Sequence, residues 1–395
     1  MAETRPIRAG EEIDVARLSA FLSETVGLSA DEIEVEQFPG GSSNLTYLVR
    51  LGRNEYVLRR PPFGNTVRSA HDMQREFGVL SKLSAAYAPA PKPLALCTDE
   101  SVIGSEFYLM ERRHGLIIRG NNFGTRVLSE PPAVAAGLSQ TSWDASELGT
   151  QANDATEENF GTQPITADDL ATSQDARLAV CRSFISNLVD LHSLDYSAIG
   201  LENLGRIDGY NRRQVEGWTK RYFAAKTDDW GTIEKTIIWL GANIPAESGA
   251  SLIHNDYKFD NVMLDPENLG RITAVLDWEM VTVGDPLMDL GTTLGYWMSW
   301  DASRELLSMP FNPRVLMENI TRQQLVDMYF ELLGRKAPDM LFYYVFGTFK
   351  IAVIAQQIYA RFVRGHTQDE RFANFNRFVA SLGMIAASAV SRGSV

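Results

Sequence analysis

The most chemically suggestive stretch is the run His254-Asn255-Asp256-Tyr257-Lys258-Phe259-Asp260-Asn261, followed by Val275-Leu276-Asp277-Trp278-Glu279 and then Gly284-Asp285-Pro286-Leu287-Met288-Asp289. Asp256 is a candidate base. Asn261 offers a neutral oxygen ligand, and Asp277 an anionic one at the end of the next apolar run. These residue types suit phosphoryl transfer. A nucleoside triphosphate is strongly anionic and travels with Mg2+, a hard cation that takes oxygen ligands. Asn261 and Asp277 can supply two of them. The acceptor hydroxyl must be aimed at the γ-phosphoryl and lose its proton late in transfer, and a carboxylate at Asp256 can serve both needs. His254 is expected to brace the loop rather than touch substrate. A turn between two strands that happens to be rich in Asp and Asn is the plain alternative. Asp277 and the Gly-Asp-Pro that follow the loop argue against it.

Such groups need elements to hold them. Ser251-Leu252-Ile253, Val262-Met263-Leu264 and Ile272 to Leu276 read as short strands around the loop. Near the N-terminus, Val15 to Val26 has the spacing of an amphipathic helix, and Ile33 to Phe38, Leu45 to Leu51 and Glu55 to Arg59 predict a small antiparallel sheet. Gly40, Gly41, Ser42 and Ser43 lie between the first two strands. They could bring backbone N–H groups to a phosphate, or form a simple hairpin connection. His71 to Leu83 reads as a helix with Met73, Phe77, Leu80 and Leu83 on one face and Glu76 beside it. Ala88 to Pro93 reads as a stiff connector.

H-x-D-x-x-x-x-N ahead of a strand ending in Asp is the arrangement of protein-kinase-like enzymes. In such a lobe the third strand ends in a Lys that holds phosphate. Arg59 stands there in this chain, and Arg grips oxygens bidentately without being equivalent to Lys. Glu76 stands where the helix carboxylate steadies that cation. Phe107 to Met110 predicts a strand running into Glu111-Arg112-Arg113-His114-Gly115, whose exit is a natural hinge. The backbone of Met110, Glu111 and Arg112 is the expected reader of an adenine edge, by position alone.

Composition bounds the remaining readings. The formal charge is −13, but Val127 to Ala176 holds nine acids and no base, which leaves −4 for the rest. The acidity therefore belongs to one segment and says little about substrate. It argues against a nucleic-acid partner, which needs a basic face. Cys97 and Cys181 form no metal-ligand pattern, and a reduced, cytoplasmic setting is expected. The start, Met-Ala-Glu-Thr-Arg-Pro, has no apolar core of a secretory signal, and residues 1 to 10 read as a loose tail. Met340 to Ile358 is the most apolar run. Lys350 would sit mid-span, so a buried helix is expected rather than a membrane segment. Ile118 to Ala171 is poor in structural signals and reads as a disordered insertion or an ordered lid, with Trp143 and Phe160 favouring partial order. Helices are predicted over Arg177–His192, Tyr210–Phe223, Thr232–Leu240, Pro313–Asn319, Thr321–Leu333, Pro338–Arg364 and Asp369–Ser391.

Taken in order, Gly-Gly-Ser-Ser-Asn, Tyr-Val-Leu-Arg-Arg-Pro-Pro, Ser-Ala-His-Asp-Met-Gln-Arg-Glu, Phe-Tyr-Leu-Met-Glu, Asp-Leu-His-Ser-Leu-Asp, His-Asn-Asp-Tyr-Lys-Phe-Asp-Asn and Leu-Asp-Trp-Glu…Gly-Asp-Pro-Leu-Met-Asp-Leu resemble the aminoglycoside phosphotransferase family. Within that family the chain looks like the branch whose domains are also found fused to acyl-CoA dehydrogenases. The resemblance runs from about residue 32 to residue 362, with a gap over 120–170. It implies an α+β, bilobal protein-kinase-like fold with a small antiparallel N-terminal lobe (1–111), a hinge (112–116) and a mainly helical C-terminal lobe (117–395). It also implies ATP and Mg2+ as cofactors, and a small-molecule substrate with a hydroxyl. Carried over by position, Asp256 becomes the catalytic residue and Asn261 and Asp277 the metal ligands. Glu76 becomes the partner of the phosphate-binding cation, while Asp285 and Asp289 tie down the catalytic region. Arg59 departs from the usual Lys, and Asn255 stands where relatives often have Gly. The expectation is an ATP-dependent phosphotransferase, with a hydroxylated acyl-CoA among the candidate acceptors. An aminoglycoside- or choline-type kinase and a nucleotide-binding regulatory protein with impaired catalysis are the alternatives.

Overall fold

Alternation of apolar residues builds the N-terminal sheet. In the computed structural model, residues 4–28, 32–38, 44–62, 72–120, 164–299, 302–307 and 313–395 are described. Helix α1 (Val15–Val26) precedes strands β1 (Ile33–Gln37), β2 (Leu45–Leu51) and β3 (Asn54–Arg60). Helix α2 (Met73–Leu83), β4 (Pro93–Cys97) and β5 (Phe107–Glu111) follow. The five strands are ordered β1-β2-β3-β5-β4, antiparallel throughout. Successive side chains serve opposite faces. Val49, Leu58, Phe107 and Leu109 pack with Leu18 and Leu22 of α1. Val57, Tyr108 and Met110 belong to the other core, with Val79 and Leu80 of α2. Arg59, two residues past Val57, follows that second face towards α2.

Three sequence expectations need correction here. Residues 4–10 are not loose: Arg5 and Gln37 exchange backbone hydrogen bonds of 2.9 Å, and Thr4 donates to Glu36 at 2.6 Å. The stiff connector ends in a strand, β4. It sits at the sheet edge, where a leading Pro93 is tolerated because one side of the backbone has no ladder to complete. The helix expected from His71 starts at Met73, because Asp72 is its N-cap and accepts the Arg75 N–H at 2.8 Å. Gly40, Gly41, Ser42, Ser43, His71, Trp143 and Phe160 lie outside the described residues, as does most of the acidic segment.

The remainder is mainly helical. Its first helix, α3 (Ala167–Thr172), lies inside the stretch read as poor in signals. A reciprocal capping box of Thr166 and Asp169 starts it. Then come α4 (Gln174–Ser193), α5 (Tyr210–Ala225) and α6 (Gly231–Ala242). Two antiparallel pairs follow, β6 (Ser251–Ile253) with β9 (Thr282–Gly284) and β7 (Val262–Asp265) with β8 (Asn268–Val275). The chain closes with α7 (Pro286–Tyr296), α8 (Arg304–Leu307), α9 (Arg314–Met317), α10 (Arg322–Leu332), α11 (Leu341–Val363) and α12 (Phe375–Arg392). Asp369–Ser391 is thus not one helix. A single 3-10 turn, Glu370–Phe372, precedes α12.

Among the described residues α11 alone is long and apolar enough to cross a membrane. It is a core helix, packed on α7, α12 and α5. Its contact with α7 is backbone on backbone. A Cβ placed on Gly347 would fall 2.1 Å from the Gly291 carbonyl oxygen, and one on Gly295 would fall 2.8 Å from the Gly347 carbonyl carbon. Only glycine permits that approach.

Candidate active site

The loop after β6 is built around a left-handed turn. Asn255 has φ 68° and Asp277 φ 66°, and they are the only non-glycine residues at positive φ among those described. Asn and Asp tolerate this region better than other side chains. At residue 255 the side chain also helps hold the turn: Asn255 Nδ2 donates to the Met280 carbonyl at 3.0 Å. Asp289, fully buried on α7, accepts the backbone N–H groups of His254 and Asn255, each at 2.8 Å. From the other side the Lys350 ammonium on α11 donates to the Asn255 carbonyl at 2.5 Å. Asp285 caps α7 and accepts from Ser248 N–H and Asn211 Nδ2 at 2.9 and 3.0 Å. His254 is buried, and burial pushes its imidazole below the ordinary value, so it is neutral. Its Nε2 lies 2.9 Å from the Leu276 carbonyl oxygen and its Nδ1 3.3 Å from Asp256 N. A neutral ring that donates from Nε2 and accepts at Nδ1 satisfies both contacts, joining the loop to the strand that leads into Asp277.

Asp256 is gripped at both carboxylate oxygens. Oδ2 accepts from Lys258 Nζ at 2.6 Å and from Asn261 Nδ2 at 2.9 Å, and Oδ1 accepts from the Tyr296 hydroxyl at 2.7 Å. Burial works against its charge, but Lys258 and the Tyr296 hydroxyl outweigh it and hold the carboxyl below its usual range. Asp256 is therefore ionised at neutral pH. Asn261 directs its amide N–H to Asp256, which turns its Oδ1 away from that carboxylate and leaves it available to a cation. Its backbone carbonyl accepts the Leu276 N–H at 2.8 Å, which brings Asn261 beside Asp277.

Between the sheet and the helical part lies a cleft of about 380 Å³. Its wall includes Arg59 and Glu76, Met110 to Arg113, and Lys258, Asn261 and Asp277. Arg59 spans it. One guanidinium nitrogen donates to Glu76 at 2.8 Å and the other to Asp277 at 2.9 Å, with Glu279 at 3.8 Å. Burial opposes the charge on Arg59, but Glu76 and its neighbours Tyr108, Asp277 and Glu279 outweigh this and hold it above its ordinary value. Burial lifts the Glu76 carboxyl, against the pull of Arg59. At neutral pH the pair is ionic, since a guanidinium does not give up its proton. At the hinge, Glu111 N–H is committed to the Lys92 carbonyl at 2.9 Å, and Arg112 is tied to Glu55. These contacts fasten the end of β5 to its neighbours.

The donor set fits a hard divalent cation in one respect. Asn261 Oδ1 and the Asp277 carboxylate are oxygen donors, and among the described residues no group of three or more His, Cys, Asp or Glu is placed to hold a metal by itself. Mg2+ commonly takes one or two protein oxygens and completes its shell with phosphate and water.

A phosphotransferase enzyme family profile matches residues 34–138 and 161–309, more than half of the chain. The chain belongs to the phosphotransferase enzyme family. It is 32% identical over 388 residues to acyl-CoA dehydrogenase family member 11 of Gallus gallus, covering 96% of this chain and 44% of that protein. It is 30% identical over 392 residues to family member 10 of Mus musculus, covering 97% of this chain and 32% of that protein. The chain thus spans less than half the length of these relatives. A crystal structure of a protein provisionally named aminoglycoside phosphotransferase, from Ralstonia eutropha JMP134, superposes with TM-score 0.69 at 27% identity, covering 96% of this chain and 99% of that one. A thermostable mutant of the aminoglycoside phosphotransferase APH(4)-Ia, solved as a ternary complex with AMP-PNP and hygromycin B, superposes with TM-score 0.52 at 15% identity, covering 96% and 99%. At that identity the likeness speaks for the fold alone. The expected family and the bilobal kinase-like fold are both borne out.

The structure brings Arg59, Glu76, His254, Asp256, Asn261, Asp277 and Asp289 into one network around the loop, while Asp285 caps the helix that carries Asp289 and binds Ser248 and Asn211 beside it. Gly40 to Ser43 are outside the described residues. Two members of the network carried no role in the sequence reading. Lys258 was visible two residues past Asp256, at a spacing that returns it to the same side of the loop. Tyr296 lies seven residues past Asp289, two helical turns on the same face. Its signal needed α7 to be recognised as a helix first.

Proposed function

We propose that this member of the family transfers the γ-phosphoryl of ATP to a hydroxyl of a small molecule. One observation carries the reading: an ionised, partly buried Asp256 is held by Lys258 and Asn261, which also line the cleft together with Asp277. In the proposed step the acceptor oxygen bonds to the γ-phosphorus as the bond to the bridging oxygen of ADP breaks. The acceptor proton passes to Asp256, which releases it to water afterwards. Lys258, beside Asp256 in the cleft wall, would meet γ-phosphate oxygens as a point charge. Arg59 would lie along the phosphates, and the backbone around Glu111 to Arg113 would border the adenine. Mg2+ held by Asn261 Oδ1 and Asp277 would neutralise phosphate charge. Left-handed backbone at Asp277 turns that carboxylate out of the strand.

For the acceptor, the names of the relatives favour a hydroxylated acyl-CoA or a similar metabolite over an aminoglycoside, and the thin negative charge outside the acidic segment offers a cationic drug little. A second reading, nucleotide binding without catalysis, draws on the contact of Arg59 with Asp277, which occupies part of a metal ligand. Two measurements decide. Incubation with MgATP and a metabolite extract should yield a phosphorylated product by mass spectrometry. Asp256→Asn should abolish that product and still bind AMP-PNP. An Asp256→Asn protein with unchanged turnover sinks the assignment.

A further inference from the structure

The carboxylate of Asp256 has two distinct sides. Oδ2 faces Lys258 and Asn261, both in the cleft wall. Oδ1 faces α7, where the Tyr296 hydroxyl is its partner at 2.7 Å. The Tyr296 ring also lies 4.7 Å from the Lys258 ammonium, within cation–π range. One side chain thus touches both the proposed base and the cation on its nucleotide side. It is a fixed point. Tyr296 is buried at the end of α7, whose backbone is locked to α11 through Gly291, Gly295 and Gly347. Asp289 on the same helix holds the start of the loop. A core tyrosine that needed only a partner for its hydroxyl could take any carbonyl. This one takes an oxygen of the residue on which the chemistry turns.

We propose that Tyr296 is a positioning residue for phosphoryl transfer: its hydroxyl fixes the Asp256 carboxylate so that Oδ1, on the side away from the nucleotide cleft, accepts the acceptor's proton. This rests on the reading of Asp256 as the base. A carboxylate oxygen has two lone-pair directions. Tyr296 takes one at Oδ1, and the acceptor O–H takes the other. During transfer the acceptor proton moves to Oδ1, the new O–P bond forms, the γ-phosphorus bond to ADP breaks, and Tyr296 keeps its proton throughout. Without the phenol the carboxylate can rotate towards Lys258, which still holds Oδ2, and the acceptor loses its aligned partner. Nucleotide contacts are untouched.

The test uses the full chain with water as acceptor, following ADP formation from MgATP, together with AMP-PNP affinity and melting temperature. Tyr296→Phe keeps the ring and removes the hydroxyl. The expected result is a kcat lower by about tenfold to a hundredfold, the scale of a small misalignment. KM for ATP and the Kd of AMP-PNP should stay within about twofold, and the melting temperature within about 2 °C. Tyr296→Leu, which also removes the ring beneath Lys258, should in addition weaken AMP-PNP. Unchanged kcat in Tyr296→Phe overturns the proposal. So does a fall in kcat matched by an equal loss of AMP-PNP affinity or by a large drop in melting temperature, the pattern of a merely structural tyrosine. Asp256→Asn separates the two levels. If it forms ADP at the wild-type rate, or if the wild type forms none, the assignment of Asp256 falls and Tyr296 falls with it. If it is inactive while Tyr296→Phe matches the wild type, only the role of Tyr296 falls.

Discussion

Arg59 and Glu76 form a buried ion pair whose removal, one partner at a time, should give two different answers. Their side chains are 9% and 2% exposed. Breaking a buried pair from one side leaves an uncompensated charge, at about 3–5 kcal/mol. The two sides are not symmetric. Glu76→Leu leaves Arg59 with Asp277 at 2.9 Å and Glu279 at 3.8 Å, so its penalty belongs at the low end. Arg59→Met leaves Glu76 buried with no comparable cation, so its penalty belongs at the high end. For 395 residues the unfolding entropy is on the order of 0.8 kcal/mol per kelvin. A loss of about 4 kcal/mol therefore lowers the melting temperature by ~5 °C. The double variant should be less destabilised than Arg59→Met alone, since it buries no charge at residue 76. The pH dependence separates the variants further. Burial already raises the Glu76 carboxyl in the intact protein, and losing Arg59 raises it more. An acid whose folded value lies above its unfolded value, about 4.3, binds protons preferentially in the folded state. Its stability contribution is complete below that unfolded value and is lost as pH rises through the folded one. The Arg59→Met defect should thus be small near pH 4 and grow to its full size at neutral pH, while the Glu76→Leu defect should shrink over the same rise, because that variant lacks the raised carboxyl whose contribution the wild type loses. Thermal melts of the four proteins across pH 4–8 measure both effects. Penalties that simply add in the double variant, or equal pH profiles for the two single variants, would refute the reasoning.

Two further outcomes follow from buried groups elsewhere. Burial pushes the Lys350 ammonium down to about 8; Asp289 and Asp256 partly support its charge, while Lys258 and Arg221 oppose it. The unfolded chain holds that proton up to about 10.4, so stability from this group rises between pH 8 and 10.4, by about 3 kcal/mol in all. Lys350→Met should lack that rise, read as a wild-type-minus-variant melting difference that grows with pH; a constant difference counts against it. Gly347→Ala sets a methyl 2.1 Å from the Gly291 carbonyl oxygen, a clash with backbone that no rotamer relieves. It should separate α7 from α11 at about 3 kcal/mol or more, while Gly217→Ala on α5, with open space around its Cβ, should melt at or above the wild type.

What could be read from the chain was local. The loop from His254 to Asn261 announces itself because its oxygens sit at fixed short spacing, and the N-terminal strands do so by alternation. Glu76 was legible because the kinase-like arrangement sets a helix carboxylate against the strand-end cation, and the two do meet at 2.8 Å. Arg59 was expected as a phosphate-side cation, and its place as a bridge between Glu76 and Asp277 was not legible. Spanning Glu76 and Asp277 at once depends on a planar fork with two donor faces, and on a residue 218 positions away in the chain. Lys350, 95 positions from Asn255, was legible only as an oddity in an apolar run. Also missing from the sequence expectations was α7. Its residues 285, 289, 293 and 296 fall on one face at helical spacing, and every one of them holds the region of the loop. Asp285 ties Ser248 and Asn211, Asp289 holds two loop N–H groups, Thr293 donates to the Tyr257 carbonyl at 2.9 Å, and Tyr296 holds Asp256. The opposite side carries Gly291 and Gly295 against α11. Read as a Gly-Asp-Pro motif the segment is a turn, whereas read as a helix it is a polar rack with a glycine back. This follows from Pro286 at the first helical position and Asp285 as its cap. The geometry of Asp256 is therefore set by the glycine packing beneath α7 as well as by the loop, and Gly291 and Gly347 support the candidate site in the same physical sense as Asp289.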